Sequence, residues 1–259
     1  MLILSVLSSF TGWGFFILIS ISLYPQFYTN YQLGHVKGFS PDFTFLSLSG
    51  FTFYFLHCTW GYFDPTKISG SVNIQDFCYS AHSFVLIVLL VAQCLYYDKQ
   101  FFKNLQTWVK VYLSAAWTVS LTFCLLEVLG CLPVKGLNLN GCLLFGYLKV
   151  SGAFIKYFPQ AMKNYTRKST AGWNIMTTLI ELFAWVLSNI QIVLEIFNTG
   201  EYESLNVPKI CLGFVTILFD LVFVIQHYTL YKCYPEVMKP LIPKHKANLK
   251  SENDISVQM

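Results

Sequence analysis

The sequence predicts an all-α membrane protein of seven transmembrane helices, arranged as three, one and three, with the two triplets running the same way. Three observations carry that prediction. Charged residues are 12% of the 259 positions, about half of the ~25% usual in a soluble domain. Hydrophobic residues reach 55% and aromatics 18%, which at ~20 apolar residues per span fills about seven helices. An eight-residue segment also recurs with Pro25 and Pro159 in register. A soluble enzyme or nucleic-acid binder is excluded, because its wetted surface needs polar residues this chain lacks.

Apolar runs between polar breaks place the spans, in order, at Phe10–Tyr28, Pro41–Phe63, Asp76–Tyr97, Thr107–Leu132, Gly141–Met162, Trp173–Asn198 and Pro208–Lys232. Residues 1–232 form the seven-helix domain: repeat one is about 10–97, the linker helix about 107–132 and repeat two about 141–232. Residues 233–259, rich in Pro, Lys, Ser and Asn, are expected to be a disordered tail. The first apolar run lacks a basic leader and continues into a full span, so no cleavable signal peptide is expected.

Basic residues set the orientation. Lys37, Lys99, Lys103, Lys110, Lys163, Arg167, Lys168 and the lysines of the tail fall on one side, against Lys67, Lys135 and Lys209 on the other. The N-terminus is therefore expected in the lumen and the C-terminus in the cytosol. The sequon Asn164-Tyr165-Thr166 then lies in a cytosolic loop and escapes glycosylation. Eight cysteines form no CxxC pair and mostly sit inside apolar runs, so neither a metal site nor a disulfide framework is expected. A Cys131–Cys142 bridge across a lumenal turn is left open.

The repeat aligns Tyr24-Pro25-Gln26-Phe27-Tyr28-Thr29-Asn30-Tyr31 with Phe158-Pro159-Gln160-Ala161-Met162-Lys163-Asn164-Tyr165, and Gly38 with Gly172. An odd number of intervening helices makes the two copies parallel about an axis along the membrane normal. Proline frees backbone carbonyls and flexes a helix. Pro25, Gln26, Pro159 and Gln160 thus suit hinges between two rocking bundles, with plain helix termination as the alternative.

Ionisable residues inside a bilayer are costly and mark candidate sites. Lys149 and Lys156 are two turns apart on one helix face. Lys156 and Glu181 lie at similar depth, roughly 9–12 Å from the same membrane face at ~1.5 Å per residue. A lysine opposite an acid suits the two ends of a zwitterionic amino acid; a buried ion pair that fixes packing is the alternative. Asp220, near the midplane with no basic neighbour in sequence, is placed either to couple protons or to act as a neutral hydrogen-bond donor. Asp76 is either a lumenal gate or an N-cap. His57 belongs to the same set without an assigned role, and His82, Glu195 and His227 read as structural.

Pro-Gln near the end of the first and fifth helices resembles the PQ-loop family. Within it, Lys156-Tyr-Phe-Pro-Gln-Ala, Lys168-Ser-Thr-x-Gly-Trp173, Phe219-Asp-x-Val-Phe-x-Ile-Gln-His-Tyr228, Ser20-Ile-Ser-x-Tyr-Pro-Gln26 and Asp42-Phe…Leu48-x-Gly50-Phe51 resemble the cystinosins, lysosomal cystine–proton symporters. The likeness covers about residues 10–232, in a form without the lumenal extension of animal members. It implies a SWEET-like fold and proton-coupled export of cystine, or a related amino acid, from lysosome or vacuole to cytosol. No enzymatic activity, cofactor or nucleic acid is implied; the partners are substrate, protons and lipid. The resemblance further implies a substrate path at Lys149, Lys156, Gln160 and Asn164, with Asp76, Glu181 and Asp220 binding substrate and coupling protons. Glu181 stands where the family has aspartate, Ser47 and Thr177 where it has asparagines, and Ile19 where it has tryptophan. Tyr234-Pro-Glu-Val237 matches a sorting signal read by a clathrin adaptor.

Three other readings compete. Another amino acid as substrate is compatible with the same helices, although Lys156 argues against a cationic one. A retrieval receptor of the KDEL-receptor kind would need arginines in its pocket, and Arg167 lies outside the spans. A G-protein-coupled receptor lacks the internal repeat.

Overall fold

A computed structural model describes residues 2–64, 72, 74–131, 140–199 and 207–231. Its elements are α1 (Leu2–Ile21), α2 (Tyr24–Leu33), α3 (Pro41–Phe63), α4 (Ile74–Tyr97), α5 (Thr107–Val128), α6 (Gly141–Arg167), α7 (Ile175–Thr199), α8 (Val207–Ile225) and a closing π-helical turn (Gln226–Leu230). The expected spans are all present, with one break. The first splits at Ser22–Leu23, one turn ahead of Pro25, because the proline ring excludes the carbonyl four residues back. Pro159 leaves α6 continuous. α2 and α6 run eight residues past their prolines, so the expected ends at Tyr28 and Met162 are too short. Local chemistry sets other ends. Ser40 and Asn140 cap α3 and α6 through side-chain bonds from Phe43 N (3.4 Å) and Leu143 N (3.0 Å). Gly34, in the left-handed region, closes α2.

Packing follows the repeat. With α1, α3 and α4 as one copy and α6, α7 and α8 as the other, the two dominant contacts are α3 with α6 and α1 with α7. Exchanging the copies turns one of these pairs into the other. The α3–α4 and α1–α4 contacts match α7–α8 and α6–α8 in the same way. The linker α5 lies outside, against α6 and α3.

Among the described residues, five helices are long and apolar enough to cross a membrane by composition: Ile3–Leu33, Ile74–Tyr97, Thr107–Val128, Ile175–Asn198 and Ile210–Leu230. The two that fall short, α3 and α6, carry the serines, threonines, glycines and lysines. They can be polar because they bury those residues against each other. Apolar side chains such as Phe10, Val111, Leu121, Phe183 and Phe214 point outward instead, as a lipid-facing surface requires.

Two corrections concern small features. Asn164 is not in a loop but inside α6, fully buried, so its amide is out of reach of any glycosylating enzyme. Cys131 is exposed and Cys142 is buried, and no disulfide joins them. The tail, with Tyr234 and Val237, lies outside the described residues.

Candidate functional site

The two Pro-Gln segments build a symmetric clasp at the end of the bundle that carries most of the basic residues. Gln26 Nε2 donates to Asn30 Oδ1 (2.9 Å) and to the Gly172 carbonyl (3.0 Å), while its Oε1 accepts from Asn174 N (2.9 Å). Gln160 repeats this with Asn164 Oδ1 (3.0 Å), the Gly38 carbonyl (3.1 Å) and Ser40 N (2.8 Å). Asn30 donates to Gln93 Oε1 and Asn164 to Gln226 Oε1, both at 3.0 Å. Those glutamines return to Phe27 O and Ala161 O, both at 3.1 Å. Each glutamine thus pins the backbone loop of the opposite copy.

The loops cross where Gly38 and Gly172 meet. A Cβ at either would come within 2.6 Å of the other's Cα, and Gly172 also has φ +91°. Only glycine fits there. Beneath the clasp, Phe39, Phe43, Tyr157, Trp173 and Phe223 interlock with ring centroids 5.0–6.2 Å apart. Clasp and aromatic layer together seal that end.

Below this seal lies a charged centre. Lys149, Lys156 and Asp220 are buried, at 9%, 8% and 1% exposure. Lys156 Nζ sits 4.3 Å from the Tyr157 ring and 5.6 Å from those of Phe43 and Phe51. Lys149 Nζ is 3.9 Å from Phe51 and 5.4 Å from Tyr54. The ring faces offset part of the cost of burying each cation. Among the described residues, neither ammonium is in direct contact with a carboxylate. Glu181 and Asp220 nonetheless lie near enough for Lys156 to feel their charge. Glu181 accepts a bond from Ser22 Oγ (3.5 Å).

Three buried oxygens of these helices have no hydrogen-bond partner among the described residues: Ser47 Oγ, Thr177 Oγ1 and Asp220 Oδ2. Unsatisfied buried polar atoms are expensive, and Ser47 and Thr177 stand one helical turn from Phe51 and Glu181 on their own helices. From Lys149 a cavity lined by Tyr54, His57, Asp76, Tyr79 and Trp185, among others, extends toward the end of the bundle where α1 begins.

The structure therefore separates the candidate residues. Lys149, Lys156, Glu181, Asp220, Ser47 and Thr177 gather at the centre, and Asp76 lines the cavity in the first turn of α4. Gln160 and Asn164 belong to the clasp instead. His82 meets Tyr24 Oη (3.2 Å), Glu195 accepts from Ser8 and Gln191, and His227 bonds Thr170 (2.8 Å), all packing roles. Ile19 is core. Sequence reasoning missed Gln93 and Gln226, although a glutamine amid an apolar run carries the same desolvation signal as a buried charge. It also missed the cation-holding faces of Phe51 and Tyr54.

Two internal copies that clasp each other through Pro-Gln segments define the class. The PQ loop repeat matches residues 7–67 and 141–200. Among relatives, the chain is similar to a cystinosin homolog of Dictyostelium discoideum, 31% identical over 88% of this chain and 83% of that protein. A cystinosin homolog of Caenorhabditis elegans is 32% identical over 88% of this chain and 58% of its own length. A cystine transporter of Saccharomyces cerevisiae is 25% identical over 81% and 88%. The chain belongs to the cystinosin family. It spans about three-fifths of the length of the nematode relative.

Proposed function

We propose that the protein exports cystine, or a closely related amino acid, from the lumen of a lysosome or vacuole to the cytosol, coupled to protons, by alternating access. The observation that carries this reading is a mixed-charge centre that lies between the clasp and a cavity at the opposite end of the bundle. Lys149, Lys156, Glu181 and Asp220 sit below the clasp, and Lys149 also lines a cavity toward the other end. With the basic end in the cytosol, this is the state that loads from the lumen.

The chemistry suits a zwitterion with two amino-acid ends. Lys156 and Lys149 offer charge-assisted donors to carboxylates, and Glu181 accepts from an ammonium. The free Ser47 and Thr177 hydroxyls and Asp220 Oδ2 supply the remaining partners. Asp220, buried near Glu181 and Lys156, is the proposed proton carrier, with Glu181 and Asp76 assisting. A proton taken up with substrate removes a buried charge and makes closure of the lumenal side less costly. Opening of the clasps to the cytosol then releases both, with Pro25 and Pro159 as the points that flex. Gln160 and Asn164 act in this scheme as gate residues whose bonds break when the cytosolic side opens. Tyr234-x-x-Val237 is the proposed adaptor signal for delivery to that membrane.

Uptake of radiolabelled cystine, with lysine as comparison, into proteoliposomes holding a pH gradient tests the reading. Cystine accumulates with the gradient and collapses without it, and Asp220→Asn loses accumulation while keeping exchange. Lysine uptake without cystine uptake overturns the substrate. Full gradient-driven transport by Asp220→Asn overturns the coupling residue.

A further inference from the structure

His57 is a titratable group on the cavity wall that the transport scheme leaves idle. It stands on α3 six residues before the helix ends. Its Nδ1 lies 2.7 Å from the Cys142 carbonyl. A carbonyl only accepts, so Nδ1 carries the hydrogen, and the neutral ring presents Nε2 as a bare acceptor. The Cys142 thiol lies 3.6 Å from the same nitrogen and bonds the His57 carbonyl at 3.5 Å, which holds the ring in place. Gly146 makes the room: a Cβ there would be 3.2 Å from the ring's Cε1 and Nδ1. Nε2 makes no hydrogen bond among the described residues, and the ring lines the cavity.

The charged groups facing that cavity are Asp76 of α4 and Lys149 of α6. Tyr79 of α4 also lines it, along with Tyr54, which like Cys58 shares α3 with His57. Asp76 is near enough for its charge to act on the imidazole. The other copy shows what the position does without a proton. Gln191, which matches His57 at the repeat offset, packs on Gly12 as His57 packs on Gly146, with its Nε2 within 2.7 Å of a Cβ built there. That amide is spent on Glu195 (3.0 Å). The packing is shared and the titratable ring is not.

We infer that His57 is a proton-switched binding group for a carboxylate at the lumenal end of the cavity. In the neutral ring the Nε2 lone pair turns a carboxylate away. One proton taken from an acidic lumen converts Nε2 to a cationic donor. Asp76 on the same wall then takes the ammonium of the same amino-acid end, while the Lys156–Glu181 centre takes the other. When the ligand moves on and the compartment is less acidic, Nε2 returns its proton. The identity of the ligand rests on the transport reading above; the proton switch at His57 does not.

Histidine labelled with carbon-13 at Cε1, in the full-length protein in nanodiscs, tests the switch directly. One resonance, absent in His57→Gln, titrates between about pH 5 and pH 8. Asp76→Asn, which removes the negative charge from the same cavity, moves its midpoint to lower pH. If His57→Gln fails to fold, Gly146→Ala identifies the same resonance by crowding the ring. A His57 resonance that does not move across that range overturns the inference. In proteoliposomes, His57→Gln raises the KM for cystine about tenfold at about pH 5.5 and leaves it unchanged at about pH 7.5. A variant with the wild-type pH profile also overturns it. Absence of cystine uptake by the wild type sinks the transport reading, and the resonance still decides whether the switch exists.

Discussion

The clasp and the charged centre are made from the same duplicated helices, yet one kept its symmetry and the other lost it. In the clasp the bonds of the two Pro-Gln glutamines have counterparts: Gln26 answers Gln160, Asn30 answers Asn164, Gly38 answers Gly172, and Asn174 N answers Ser40 N. At the centre, the same offset pairs Phe15 with Lys149, Ser22 with Lys156, and Ser47 with Glu181. The second copy carries the charges and the first carries neutral residues of the same positions. A gate between two rocking bundles needs matched halves, because both loops part together. A site for a polar molecule needs complementary charge at set places, which two identical halves cannot supply. On the proposed function, symmetry in this molecule marks the moving joint, and its loss marks the ligand.

The largest expected effect lies at the centre of the joint. Gly172→Leu forces a side chain into the Gly38 backbone at a left-handed φ. Overpacking and backbone strain together cost about 3 kcal/mol or more, and the variant is expected to be recovered in poor yield with a sharply lowered Tm in detergent. Gly38→Leu should match it. A mild effect at either position would mean that the loops do not cross as described. At the asymmetric centre the outcome reverses. Lys156→Met keeps the volume and removes a buried cation, so Tm holds or rises. The KM for cystine climbs about 30-fold or more through loss of a charge-assisted bond. A fall in Tm instead would assign Lys156 to packing.

These contrasts also show how far the sequence could be read. Seven spans, the parallel copies and the short set of buried charges follow from composition, from the Pro-Gln repeat and from the cost of charge in lipid. Those signals are intrinsic to the residue type. What stayed hidden depends on pairing across the bundle. That Gln160 and Asn164, one and two turns beyond Lys156 on the same helix face, bond Gly38 and Gln226 is decided by which segment lies opposite, and their spacing does not show it. The one-residue slip between Gln93 and Gln226 relative to the repeat hid their equivalence. The π-helical turn that begins at Gln226 ends the second copy differently from the first. The break at Ser22–Leu23 and the unbroken helix at Pro159 differ although both carry Pro-Gln, because neighbours decide whether a freed carbonyl opens the helix.

Intermediate effects test whether the two halves of the clasp are equal. Gln26→Ala and Gln160→Ala each strip partners from a buried backbone N–H and a buried carbonyl, costing about 2–4 kcal/mol. The two losses should agree within about 1 kcal/mol, the tolerance of such measurements, as read by unfolding in detergent. A large inequality would show that one copy dominates the seal and would break the symmetry on which the gate rests.

The smallest effect is also the most discriminating, because it sets Ser22 against Ser47, the neutral members of the two charged positions. Ser22 Oγ is engaged, giving a hydrogen bond to the Ile19 carbonyl (2.9 Å) and reaching Glu181 (3.5 Å). Ser22→Ala should therefore cost about 1 kcal/mol. Ser47 Oγ is just as buried and has no partner among the described residues. Ser47→Ala removes an unsatisfied group, so stability should stay level or rise by about 1 kcal/mol. If that hydroxyl waits for substrate, the same change raises the KM about fivefold, the worth of one neutral hydrogen bond. A stable Ser47→Ala variant with unaltered KM would place the ligand away from α3. A destabilised one would mean that Ser47 has a structural partner in the membrane-embedded protein.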